Sequence, residues 1–334
     1  MSEGQTEFQD EVKNPSEKQA LEVRIHVGNF LPWSAFARNA QLRRWVEECG
    51  ADGMEWMPVG PNLPESIAKH VPVGPTQEVV AKPFSALHEV FGDTLKSGHV
   101  VFNPFATLSS IFGRREDPLR PGTPIFFLNL VLSQEPVARK ALLRLEELQD
   151  GNFPIVVYPK LRGETDFSAS DHYRIPLLQT VPLFDGELTP EEMVKAVEKE
   201  EYAGVCVDLA HMREADNQTG TRPFGETEDE WMKALDVLRP AIREVHVQPD
   251  YTAGLENKRL DEVGAIFDYN PSYQTPMGKL LRHLIHDLEF MGPYTSEMNP
   301  LALVRIYGKQ ILLPPDLSPM LEAQGAFVDY IKRA

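Results

Sequence analysis

The chain has 334 residues, of which 42 % are hydrophobic and 25 % charged, and its formal net charge is -17 at pH 7. So acidic a balance repels phosphate backbones and disfavours extended nucleic-acid binding. The two cysteines, Cys49 and Cys206, lie far apart without metal-ligand spacing, and no apolar run is long enough to span a bilayer. We therefore expect a cytoplasmic protein with neither a disulfide framework nor a membrane partner.

Residues 1–20 are polar and acidic, which predicts a disordered or loosely attached tail before one domain over 21–334. Short β-rich runs alternate with helical patterns along this domain. The predicted strands span 22–30, 53–59, 99–105, 124–132, 153–160, 202–209, 242–249 and 292–298. Thr189 and Thr227 each begin a capping box that predicts the start of a helix. The stretch 161–188 after the fifth predicted strand is irregular, and its role stays open.

Eight strands interleaved with helices, without an internal repeat or a linker after the tail, favour a single closed (β/α)8 TIM barrel of the α/β class. The structural alternative is a doubly wound open sheet. Such a sheet would show a Gly-rich phosphate turn after its first strand if it bound a dinucleotide. Gly28 is the one glycine at that place, so the barrel is the preferred prediction.

Valines alternate along the sixth and seventh strands and suit the side that faces the helices. The side chains between them should point into the barrel: Cys206 and Asp208 on the sixth strand, and Glu244, His246 and Gln248 on the seventh. The same alternation places other polar side chains inside: His26, Glu55, Asn103, Asn129, Tyr158 and Glu297.

Asp208, His246 and Glu297 lie near the ends of three consecutive strands, where barrel active sites are built. Each alone also has a structural interpretation, as a hydrogen-bonded core residue or a turn cap. Together, two carboxylates and an imidazole suit a divalent ion such as Mn, Zn, Co or Mg. His211, three residues after Asp208, is a candidate to bind substrate or a second metal. Five further histidines are assigned to packing or to the surface: His70, His88, His99, His283 and His286.

Four motifs carry a family resemblance: GADGMEWMP, GVCVDLAH, EVHVQP and SEMNP. In order and spacing they resemble the xylose isomerase-like barrels, the sugar isomerase and epimerase group that also contains endonuclease IV. The resemblance covers about residues 22–334. In the epimerase branch, a Glu on strand five, an Asp on strand six, a His on strand seven and a Glu on strand eight bind one divalent ion. The two Glu residues also exchange a proton next to a carbonyl group.

The resemblance implies that Asp208 and His246 are metal ligands and that Glu297 is both ligand and base. His211 resembles the substrate-contacting His of the pattern, and Glu55 the acidic residue often found on strand two. The predicted fifth strand departs from the pattern, because Tyr158 stands where the first Glu is expected. Tyr158 or Lys160 could replace that acid/base. The candidate substrate-binding residues are His26, Glu55, His211 and Arg162, with Lys160 and Arg162 suited to an anionic group.

The sequence therefore predicts a metal-dependent isomerase or epimerase that acts on a sugar or a related polyhydroxylated carbonyl compound. Its expected partner is a small-molecule substrate, with no nucleic acid and no membrane, and assembly into a homo-oligomer is left open. One alternative is a dehydratase or another lyase that uses the same site. The other is a non-catalytic binding barrel that has lost the strand-five Glu. The nuclease branch fits worse, because the predicted third strand has no His at its end.

Overall fold

The computed structural model describes residues 20–28, 47–57, 92–99, 143, 145–157, 173–180, 188–213, 222–248, 273–297 and 318–334. Eight strands in these ranges close into a barrel. Each strand pairs in parallel with the next along the chain, and the eighth pairs with the first. The strands are β1 (Val23–Gly28), β2 (Gly53–Met57), β3 (Leu95–His99), β4 (Ile155–Val157), β5 (Pro176–Gln179), β6 (Gly204–Asp208), β7 (Ile242–Val247) and β8 (Tyr294–Ser296). The predicted closed parallel barrel is confirmed.

The described ranges include the α-helices α1 (Pro190–Glu198), α2 (Glu228–Leu238), α3 (Pro276–Arg282) and α4 (Ser318–Arg333). Both predicted capping boxes are confirmed at the starts of α1 and α2. The Thr189 hydroxyl accepts a hydrogen bond from the Glu192 backbone N–H, and the Glu192 carboxylate accepts one from the Thr189 backbone N–H. Thr227 and Glu230 make the same reciprocal pair. Each box satisfies two N–H groups that would otherwise lack a partner.

Side-chain alternation divides the strand residues between two hydrophobic clusters. The larger cluster joins the outward side of the strands to the helices, and includes Val205, Val207, Val245, Val247, Leu235 and Leu280. The smaller one consists of Val156, Leu177 and Cys206. Because successive side chains of a strand point to opposite faces, these three point into the barrel. The predicted outward valines and the inward Cys206 are therefore confirmed.

The strand count is where the sequence prediction is wrong. The strand in 153–160 is β4, not the fifth strand, and β5 lies within the stretch 161–188 that was predicted to be irregular. The predicted strand 124–132 lies outside the described residues, and the eight strands above close the barrel without it. Pro176 obscured β5, because proline cannot donate to a strand ladder and is tolerated mainly at the first position, where it lies here.

The third strand is also displaced from its predicted position. β3 ends at His99, which was predicted to begin the strand. The predicted tail lies outside the described residues except for Ala20, so the division into a tail and one domain stays a prediction. None of the described helices has the length and apolar character to cross a lipid bilayer.

Candidate metal centre

Three polar side chains converge where β6, β7 and β8 end. Asp208 is the last residue of β6, His246 the last but one of β7, and Glu297 follows β8 directly. The parallel register pairs Asp208 with His246, and the Glu297 backbone N–H donates to the Val247 carbonyl. One ligand atom from each of the three side chains lies within 4.8 Å of the other two. We call Asp208, His246 and Glu297 the candidate metal centre. Their roles as ligands stay a prediction.

The two ring nitrogens of His246 have different surroundings. Nε2 lies 3.2 Å from Glu55 Oε2, and Nδ1 lies 3.5 Å from Glu297 Oε2. Nδ1 is buried and has no hydrogen-bond partner among the described residues. When a carboxylate accepts the hydrogen of one ring nitrogen, the lone pair of the other nitrogen is free for a cation, as in many metal-binding histidines. The donor set, two carboxylates and this nitrogen, therefore fits a divalent ion.

Glu55 connects two histidines in the barrel interior. Its Oε1 lies 2.5 Å from His26 Nδ1, and its Oε2 is the partner of His246. Burial would raise the pKa of Glu55, but its contacts with His246 and His26 hold that pKa well below its ordinary value. Burial would lower the pKa of His26, but the hydrogen bond with Glu55 raises it above 6.5. Glu55 and His26 are buried in this network as predicted, and a direct contact of either with substrate stays a prediction.

The pKa of His246 is raised well above 6.5. Burial would lower this pKa, but Cys206 and the Glu55 carboxylate outweigh the burial. Burial also raises the pKa of the Cys206 thiol, so that this thiol is protonated and uncharged at neutral pH. The anion that raises the pKa of His246 is therefore Glu55. Without a bound ion, the carboxylate of Glu55 therefore favours the protonated form of His246.

Asp208 and Glu297 respond differently to this environment. Burial and the charge of Glu297 raise the pKa of Asp208, although His211 lowers it. Burial would also raise the pKa of Glu297, but its interactions with His246 and His26 lower it below its ordinary value. Two carboxylates this close repel each other, and a cation held between them would stabilise both charged forms.

Hydrogen bonds fix the orientation of both carboxylates. Asp208 Oδ1 accepts from the backbone N–H groups of Ala210 and His211, at 2.9 and 3.0 Å. Gln248 Nε2 donates to Asp208 Oδ2 at 3.1 Å and to Glu297 Oε2 at 3.0 Å. The predicted inward direction of Gln248 is confirmed by these two contacts. His211, with a side chain 29 % exposed, lies with Nε2 3.6 Å from Asp208 Oδ2, and its contact with a substrate stays a prediction.

β5 ends in an amide where the family resemblance expects a carboxylate. Gln179 Nε2 donates to Asp208 Oδ2 at 3.2 Å, and its Oε1 lies 3.1 Å from His99 Nε2. The comparison of Tyr158 with the strand-five Glu is wrong, because Tyr158 follows β4. Tyr158, Lys160 and Arg162 lie outside the described residues, so their proposed roles stay predictions.

Gln179 and His99 are two residues of this cluster that the sequence patterns did not reveal. His99 is buried, and its ring centroid lies 5.4 Å from that of His246. Burial lowers the pKa of His99 to about 4, so it is neutral and can donate one N–H to the Gln179 oxygen. The capping box at Thr189 could have revealed β5 and therefore Gln179, because strands and helices alternate in a (β/α)8 barrel and a strand is expected shortly before each helix.

A second group of possible ligands lies alongside, formed by Glu55, Glu244 and His246. Both oxygens of Glu244 already have partners. Oε1 accepts from the Thr295 and Ser97 hydroxyls at 2.5 and 3.3 Å, and Oε2 lies 3.4 Å from Arg24 Nη1. These contacts hold Glu244 as a structural residue, so the candidate metal centre has the more accessible ligand atoms.

The fold and the site together define a closed (β/α)8 barrel with a buried cluster of carboxylates and histidines that could hold a metal ion. No family model matches the chain, and no curated protein matches it. Solved structures do resemble it. One is D-allulose 3-epimerase from Methylomonas sp. in complex with D-allulose, at 14 % identity over 94 % of this chain and 97 % of that chain, with a TM-score of 0.43.

A second structure of the same epimerase is 15 % identical over 94 % of this chain and 98 % of that chain, with a TM-score of 0.39. The tryptophan synthase alpha chain from Legionella pneumophila subsp. pneumophila is 9 % identical over 94 % of this chain and 91 % of that chain, with a TM-score of 0.34. The strand pairing by itself establishes the closed parallel barrel.

Proposed function

We propose that the protein is a metal-dependent enzyme that transfers a proton next to the carbonyl group of a small polyhydroxylated compound, as a sugar isomerase or epimerase does. The observation that supports the proposal is the convergence of Asp208, His246 and Glu297 within 4.8 Å. The buried His246 Nδ1, which has no hydrogen-bond partner in the described part of the chain, adds to it. A divalent ion held by these side chains would polarise the substrate carbonyl and make the neighbouring C–H more acidic.

Glu297 is the proposed base. Its lowered pKa keeps it ionised, and its side chain is 13 % exposed, whereas the side chain of Asp208 is fully buried. In the metal-free protein the hydrogen bond from Gln248 holds one Glu297 oxygen in place, and a bound ion would hold this carboxylate instead. A partly exposed base of fixed orientation at the C-terminal ends of the strands suits removal of a proton from a bound substrate. His211 is the proposed contact to a substrate hydroxyl.

Gln179 supports a second candidate function. A reaction that inverts a carbon centre needs a second proton carrier on the opposite face of the substrate, and an amide does not carry protons at neutral pH. Tyr158 or Lys160 would have to fill that role in an epimerase. If neither does, the same site suits an elimination with Glu297 as the single base, or binding of the small molecule without turnover.

The first experiment measures ion binding. Mn²⁺, Co²⁺, Zn²⁺ and Mg²⁺ are each added to the purified, chelator-treated protein, and thermal unfolding is followed. An ion present at about 100 times its Kd should stabilise the fold by about 2.7 kcal/mol. The matched control is Asp208→Asn, which keeps the shape of the side chain but removes its charge. Wild-type protein that binds none of the four ions would contradict the proposal.

The second experiment separates the candidate reactions. A panel of aldoses, ketoses and their acids is incubated in D2O with the loaded protein, and proton NMR follows the C–H next to each carbonyl. Loss of that signal without a change of mass other than deuterium supports an isomerase or epimerase. Loss of water from the compound, seen by mass spectrometry, supports a lyase. Ion binding without exchange in any compound supports the binding barrel.

A further inference from the structure

Gln248 places its side-chain amide between the two carboxylates of the candidate metal centre. Nε2 lies 3.1 Å from Asp208 Oδ2 and 3.0 Å from Glu297 Oε2. Ionised carboxylates only accept hydrogen bonds, so the amide group that faces both of them must be the NH2. A donor with partial positive charge therefore lies where a cation shared by the same two oxygens would lie.

We propose that Gln248 occupies the cation position of the metal-free protein and that a divalent ion binds by displacing this amide. The inference rests on the proposed function, because it takes Asp208, His246 and Glu297 to be a metal centre. Asp208 Oδ1 already accepts two backbone N–H groups, so Oδ2 is the oxygen left for an ion. Oδ2 is also the oxygen that Gln248 uses. The ion and the amide therefore compete for one lone-pair region.

The position of Gln248 in the chain also allows its side chain to move away from the two carboxylates. Gln248 follows Val247, the last residue of β7, and its side chain is only partly buried. Turning this side chain away from the two carboxylates would break two hydrogen bonds, and Gln248 is not part of the described hydrophobic core. The bonds are charge-assisted, so breaking them opposes ion binding. The affinity of the centre for an ion is thereby held below what its three ligands would give alone.

Gln179 is a natural comparison for Gln248. It also donates to Asp208 Oδ2, at 3.2 Å, but the other end of its amide bonds to His99 and it is only 1 % exposed. Its described hydrogen bonds include none to Glu297. Gln179 therefore orients Asp208 alone, and its amide does not lie between Asp208 and Glu297 as that of Gln248 does. Removing the Gln179 amide should therefore weaken the orientation of Asp208 without opening a position for an ion.

The test compares Mn²⁺ binding to wild type, Gln248→Met and Gln179→Met, all as full-length protein. Methionine keeps the length of the glutamine side chain but cannot donate these hydrogen bonds. Isothermal titration calorimetry gives the Kd, and electron paramagnetic resonance of free Mn²⁺ checks it. We expect Gln248→Met to bind Mn²⁺ about tenfold more tightly than wild type, since the ion no longer displaces the two bonds. Gln179→Met should bind no more tightly than wild type.

Thermal unfolding gives a second measurement that does not depend on activity. Metal-free Gln248→Met should unfold at a lower temperature than wild type, because its two carboxylates have lost their shared donor. Mn²⁺ should then raise its Tm by more than it raises that of wild type. Gln248→Ala is the second variant, since it removes the bulk of the side chain as well, and it should shift the Kd in the same direction.

The outcomes separate this inference from the proposed function. If wild type binds Mn²⁺ and neither Gln248 variant binds it more tightly, the role of Gln248 is overturned and the metal centre stands. An equal gain in Gln179→Met would also overturn that role, because the gain would then come from freeing Asp208 alone. If neither the wild type nor the Gln248 variants bind Mn²⁺, both the inference and the proposed function are overturned.

Discussion

The two sides of the barrel interior are built in different ways. Val156, Leu177 and Cys206, on β4, β5 and β6, form an apolar side, and the polar Gln179 and Asp208 follow it at the ends of β5 and β6. β1, β2, β7 and β8 contribute a polar side, which we define as His26, Glu55, Glu244, His246 and Thr295. Every one of these side chains has a partner on the same side, through Glu55 or Glu244. Apolar side chains of similar volume often stabilise a core at least as much as buried ion pairs do. A contribution to stability therefore does not explain the polar side, and a role in binding or catalysis explains it better.

The largest expected effect comes from Glu297, the carboxylate that borders the polar side at the C-terminal end of β8. Glu297→Gln keeps the shape of the side chain and removes its ability to accept a proton. We expect the rate of C–H exchange to fall by about 10²–10⁴-fold, the usual contribution of a general base. Deuterium exchange by NMR measures it. Glu198→Gln, at the exposed end of α1, is the control. An unchanged rate in Glu297→Gln would remove Glu297 as the base.

The next effect tests how the polar side is held together. Glu55→Gln removes the anion shared by His26 and His246, and both histidines stay buried. Removing one partner of a buried charged pair lowers the free energy of unfolding by about 3–5 kcal/mol, because the other charge is left uncompensated. Urea denaturation measures this loss, with Glu198→Gln again as the exposed control. A loss below about 1 kcal/mol would mean that the histidines are not held by Glu55, since surface changes are typically within about 0.5 kcal/mol.

The apolar side should respond in stability alone. Leu177→Ala leaves a cavity beside Val156 and Cys206, and such a change in a core costs about 2–5 kcal/mol, here at the lower end because the cluster is small. The Kd for Mn²⁺ should stay within about twofold of wild type, since Leu177 makes none of the described hydrogen bonds that orient Asp208 and Glu297. A Kd that changes by about tenfold or more in this variant would show that the two sides of the interior are coupled.

The sequence predicted the polar side better than the strand order. Alternating valines were enough to place Asp208, Glu244, His246 and Gln248 inside, because a closed barrel has only two directions for a side chain. Both capping boxes were readable for a similar reason, since a cap depends on residues three positions apart. These features are local, and they do not depend on how many strands come before them.

The residues that the sequence did not reveal depend on strand boundaries. Gln179 lies in a four-residue strand that begins with Pro176, and proline is a weak indicator of a strand. His99 ends a strand that contains Gly98, Ser97 and the exposed Lys96, none of which favours the β conformation strongly. Once β5 is missed and β3 is misplaced by a few residues, their last side chains cannot be assigned to the site, because only the barrel closure brings them together.

The smallest effect concerns protons on the polar side. The pKa of His246 is raised above 6.5, which favours the protonated ring in the absence of an ion, and an ion that binds this ring must expel the proton. Raising the pH from about 6 to about 7 should therefore strengthen Mn²⁺ binding, by up to about tenfold for one proton released. Calorimetry in buffers of different ionisation enthalpy counts the protons. Equal affinity at both pH values would mean that His246 is neutral before the ion arrives, and that the carboxylates around it are balanced by another charge.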